Sequence, residues 1–63
     1  MEIAQALRSS MKSSEMRDEH VAIAVKASAQ SVSGWRLGRK IPRGDTMLLL
    51  RRAVPGFAEL LDS

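Results

Sequence analysis

Cysteine is absent from this chain, which removes disulfides and thiolate metal sites from consideration. Aromatic residues are scarce as well, with one tryptophan, one phenylalanine and no tyrosine. A platform on which successive bases of a single strand could stack needs more rings than that. The sole histidine, His20, has no second imidazole and no thiolate to join it around a metal ion. The longest run of large apolar residues is Met47, Leu48, Leu49, Leu50, far short of the ~20 that a membrane helix requires. The opening residues carry an acid and no apolar segment of the signal-peptide kind, so a soluble, intracellular protein is expected. The serines have no His and acid at triad spacing, and no glycine-rich phosphate loop occurs. No catalytic residue, metal site or cofactor is expected.

The most informative absence is of one sign of charge. Between residues 21 and 44 lie five basic residues (Lys26, Arg36, Arg39, Lys40 and Arg43) and no acid. The other five basic residues share the remaining chain with all seven acids. Each of the five, taken alone, reads equally well as an ordinary solvated cation. As a group they favour a polyanion as partner for the middle of the chain. With 63 residues, one domain is the only sensible count, and such a chain buries roughly 60% of its unfolded surface.

Helical spacing organises nearly all of it. Ile3, Leu7 and Met11 recur every four residues and predict a first helix over 2–12, though no Gly or Pro marks a firm stop. Met16 leads into the next element. Asp18 is the expected N-cap of a second helix reaching 25, and Ser28 that of a third reaching 37, which Gly38 closes. A loop over 39–44 follows, then a fourth helix capped by Asp45 and reaching 53. Pro55 suits the beginning of a short last helix anchored by Phe57, Leu60 and Leu61. The expected fold is all-α, five short helices around one small core.

The stretch 18–38 carries the functional signal. Val21, Ala22 and Val25 share one helical face, and Val32 and Trp35 share another. Small Ala22 lets two steeply crossed helices approach closely. This is the pattern of a helix-turn-helix, whose second helix enters the major groove of DNA. Val32 and Trp35 point inward, so Ser28, Ala29, Gln30, Ser31, Ser33 and Gly34 are the candidates for base contact. Gln30 leads them, since its amide donates and accepts together as adenine requires. The plainer reading makes these small residues an ordinary solvated face. Lys26, Arg36, Arg39, Lys40 and Arg43 flank the helix as candidate phosphate contacts.

The same stretch resembles the lambda-repressor-like phage regulators, of repressor, Cro and, most closely, CII-activator type. The resemblance covers about residues 18 to 50. It rests on Ala22, Val32 and Trp35, on the segment Gln30, Ser31, Val32, Ser33, Gly34, Trp35, and on the exit through Gly38 and Pro42 into Met47, Leu48, Leu49, Leu50. It departs at Lys26, where the family usually has Gly. Either Lys26 takes a left-handed conformation at a cost of ~1 kcal/mol, or the turn has another shape. The resemblance implies a transcriptional regulator of phage or prophage type in the cytoplasm of a bacterial host, associated with its nucleoid. Its partners would be a double-stranded DNA operator and RNA polymerase. Four apolar residues in a row cover most of a helix's circumference, so Leu48 and Leu49, with nearby Phe57, are expected at a homodimer seam that calls for a palindromic operator. Two rivals use the same helical fold: a protein-interaction module, and an antitoxin-type autoregulator that binds DNA and a partner protein.

Overall fold

The computed structural model describes all residues 1–63 as five helices and no strand. They are α1 (Ile3–Ser13), α2 (Asp18–Val25), α3 (Ala29–Arg36), α4 (Gly44–Ala53) and α5 (Phe57–Asp62). Helix α1 packs against α3 and α5, while α2 packs against α3 and α4. One core results, built from Leu7 and Met11 of α1, Val21, Ala22 and Val25 of α2, Val32 and Trp35 of α3, Leu50 and Val54 around α4, and Phe57 of α5. The periodic residues of α1, α2 and α3 thus face where their spacing directs them. No helix is long and apolar enough to cross a membrane.

The first three helices end in one common way. After α1, the Met16 N–H donates to the Met11 carbonyl at 2.9 Å and the Glu15 N–H to Lys12 at 3.2 Å. After α2, Ala27 donates to Ala22 at 2.9 Å and Lys26 to Ile23 at 3.4 Å. After α3, Arg39 donates to Gly34 at 2.8 Å and Gly38 to Trp35 at 3.2 Å. Each is a Schellman closure, which needs one residue in the left-handed region. Those residues are Glu15 (φ 56°), Lys26 (φ 56°) and Gly38 (φ 78°). Only the third is a glycine, which is why the end of α1 has no visible stop signal and why Lys26 looked out of place. The turn therefore keeps its shape, and Lys26 takes the strain. Glu15→Gly and Lys26→Gly should each raise stability by up to ~1 kcal/mol, or about 4–8 °C in melting temperature for a domain of this size. A thermal melt of each variant checks this; a lowered midpoint would remove the strain argument.

Helix starts differ more from expectation. Ser28 caps α3 as expected, its Oγ accepting from the Ser31 N–H at 3.0 Å. Asp18 is not the cap of α2 but its first residue, after Arg17. Its carboxylate turns to Arg36 instead, because a charged two-pronged partner outcompetes a backbone N–H. Asp45 likewise does not cap α4. Arg43 holds that position, and Asp45 Oδ1 accepts from the Thr46 N–H at 2.9 Å inside the first turn, where the helix dipole favours a carboxylate. Pro55 stands before α5, which starts at Phe57.

Phe57 is not a seam residue. It is wholly buried, 0% exposed, beneath α1 and α4. In a six-residue helix with three large apolar side chains, the first takes the core position and leaves Leu60 and Leu61 half-buried. Leu48 and Leu49 remain open, at 59% and 36% exposure, so α5 does not cover them.

Candidate nucleic-acid interface

Helix α3 is eight residues long and buries Val32, Gly34 and Trp35. Two side chains near its start, Ala29 and Gln30, are exposed. One turn on, Ser33 continues their stripe, and Leu37, 45% exposed, ends it. Gln30 leaves its amide to solvent, with both hydrogen-bonding functions free. Leu37 belongs to this stripe by its i+4 relation to Ser33, the outward face that its spacing from Val32 and Trp35 predicts.

The serines are less free than their exposure suggests. Ser28 Oγ accepts from the Ser31 N–H and also donates to Ser31 Oγ at 3.0 Å, so both hydroxyls are engaged in capping. Ser33 Oγ accepts from Arg36 Nη2 at 3.5 Å. Gly34 does not lie on the outer stripe. It is buried under the stem of Lys40, and a Cβ placed on it would meet Lys40 Cδ at 3.2 Å and Cγ at 3.3 Å. Its carbonyl accepts from the N–H groups of both Arg39 and Lys40. The small residue serves to fold the following loop back onto the helix.

Arg36 also departs from the role expected of it. Its Nε and Nη2 donate to the two carboxylate oxygens of Asp18 at 3.0 and 3.1 Å, tying the end of α3 to the start of α2. That carboxylate raises the guanidinium's already high pKa, chiefly through the hydrogen bonds, with burial opposing the rise and the carboxylate's charge adding a smaller push upward. The Arg36 carbonyl accepts from Arg8 Nη1 at 2.9 Å, a cation placed at the negative end of the α3 dipole. Arg36 is thus a structural clasp rather than a free cation.

Four of the five central cations stay free: Lys26, Arg39, Lys40 and Arg43 are exposed and stand in no ion pair. Lys26 ends α2 two residues before the Ser28 cap of α3, and Arg39 and Lys40 lie in and just after its closing turn. Gln30 and Ala29 are therefore bracketed along the chain by unpaired positive charge. Comparison with protein-family models, characterised proteins and solved structures finds no match to this chain. No three His, Asp or Glu side chains gather into a group able to hold a metal ion. His20 is exposed on α2, and its Nδ1 accepts from the Arg17 N–H at 3.4 Å. What the arrangement offers chemically is hydrogen bonding and apolar contact from one short helix face, with unneutralised cations beside it.

Proposed function

We propose that this protein is a sequence-specific double-stranded DNA-binding regulator of transcription, of the lambda-repressor-like phage type, with α2 and α3 as its helix-turn-helix. The observation that carries the reading is the uncommitted Gln30 on the outer stripe of α3, bracketed by four unpaired cations and no acid. In such docking the first residues of the recognition helix reach base edges. Ala29, Gln30 and Ser33 do so here, Ala29 against a thymine methyl and Gln30 against adenine N6 and N7. Leu37 adds apolar contact. Lys26, Arg39, Lys40 and Arg43 hold the phosphates and fix the register. The test is a selection of bound duplexes from random DNA. Wild type should enrich one motif, and Gln30→Ala should lose about 1–3 kcal/mol of discrimination at one base pair. Recovery of unrelated sequences by wild type would refute sequence-specific binding.

The regulator works as a two-fold dimer on a palindromic operator. Leu48 and Leu49, neighbouring and uncovered, support this. A dimer would set its recognition helices about 34 Å apart, one DNA turn. In sedimentation equilibrium at tens of micromolar, wild type should be dimeric. Leu48→Glu, or Leu49→Glu, should then give a folded monomer. A strictly monomeric wild type that protects a single half-site would end this part of the proposal.

A second reading, a protein-interaction module, draws on the exposed apolar side chains outside α4, Ile23 at 78% and Ile41 at 81%. It requires that DNA affinity be absent at low salt.

A further inference from the structure

We propose that the cleft between α1, the start of α2 and the end of α3 is a second site, built to hold the phosphate group of a mono- or diester. Sequence order hides it. The flanks of the chain carry more acids than bases, yet the fold draws three of the flanking cations, Arg8, Lys12 and Arg17, to one place beside Arg36. The cleft is open to solvent on one side and offers about 400 Å³, within the range that small ligands occupy. A single carboxylate lines it, that of Asp18, and Arg36 already engages both of its oxygens. Arg8, Lys12 and Arg17 have no acidic partner.

Three cations without acidic partners around one cleft, two from α1 and one from the start of α2, repel one another, and an oxyanion placed among them turns that repulsion into attraction. Their donors are available for it. Arg8 spends one N–H on the Arg36 carbonyl, which leaves four of the five that a guanidinium carries. Guanidinium forks match the paired oxygens of a phosphate, and Lys12 adds a compact point charge. Met11 and Met16 form the apolar side of the cleft, suited to the sugar or base that the phosphate bears. The phosphate is either that of a free nucleotide or one in the backbone of a duplex lying against the clasped ends of α2 and α3. The site's chemistry is the same for both, and it does not depend on α3 reading bases.

The experiment separates the sources with two probes, a deoxyadenosine 5′-monophosphate titration and a short mixed-sequence duplex, each followed by the backbone amide signals of residues 8, 12 and 17 and the guanidinium Nε–H signal of Arg8. Arg17→Gln and Lys12→Gln are the variants, both at exposed residues without partners and therefore expected to fold as wild type does. Saturable shifts with the mononucleotide, weakened roughly tenfold by Arg17→Gln, support a free phosphate ligand. A silent mononucleotide titration supports a backbone phosphate if both variants weaken every duplex alike and each reduces the salt slope by about 0.9. The proposal is overturned if neither probe moves these signals, or if both variants bind both probes as wild type does. Mononucleotide binding in a protein that ignores duplex DNA would refute the reading of α3 and leave this site standing.

Discussion

Trp35→Ala is expected to leave most of the protein unfolded at room temperature. The ring is 7% exposed and belongs to the central cluster with Val32, Val25 and Leu7. Emptying an aromatic core site costs about 3–5 kcal/mol, and a domain this small holds little more than that in total. Phe57→Ala should be as damaging, since that side chain is completely enclosed. Gln30→Ala provides the contrast, with a urea midpoint within error of wild type because an exposed side chain without partners has nothing to lose. Circular dichroism across a urea series measures all three. A fully folded Trp35→Ala protein with impaired binding would place Trp35 on the binding face and contradict its burial.

The second large effect concerns salt. With Lys26, Arg39, Lys40 and Arg43 free and Arg36 occupied, the surroundings of α3 have four cations to offer phosphates. Each released counterion contributes about −0.9 to the slope of log affinity against log salt. Affinity for duplex DNA should therefore fall by about 10² per bound chain through these four contacts between ~50 and ~200 mM salt. Lys26→Gly should flatten the slope by about one contact while raising the melting temperature, two changes that a merely destabilised variant cannot combine. Fluorescence anisotropy over a salt series gives the slope; a value near zero would refute DNA binding through these residues.

Local information made much of the fold legible. The i, i+4 recurrence of Ile3, Leu7 and Met11 and the pairing of Val32 with Trp35 set the inward faces, because a helix's period converts spacing directly into direction. Ser28 was legible as a cap for the same reason, its hydroxyl acting within one turn of its own backbone. What escaped was decided by contacts between distant residues. Arg36 counts as a free cation until Asp18 is found opposite it, 18 positions away. Gly34 passes for an approach to DNA until the loop after α3 lays Lys40 over it. Phe57 could face either way in a helix whose apolar residues outnumber its buried positions. The cleft of Arg8, Lys12 and Arg17 has no signature at all in a running count of charge.

The packing of α1 against α5 joins the first helix of the chain to its last. Ser14 Oγ also donates to the Pro55 carbonyl at 3.2 Å, across 41 positions. Most helical domains close through neighbours and finish folding as they lengthen, whereas contacts between remote segments slow the search. Here α2 and α3 share their core with Leu7 and Phe57 together, so a nascent chain ending before residue 57 lacks the piece that completes it. Such a chain exposes apolar helices and is a substrate for proteases rather than a smaller stable fold. The core of α1 to α4 thus closes only when α5 packs onto it, and a single cleavage in the turn at Pro55 and Gly56 would release α5 from both α1 and α4.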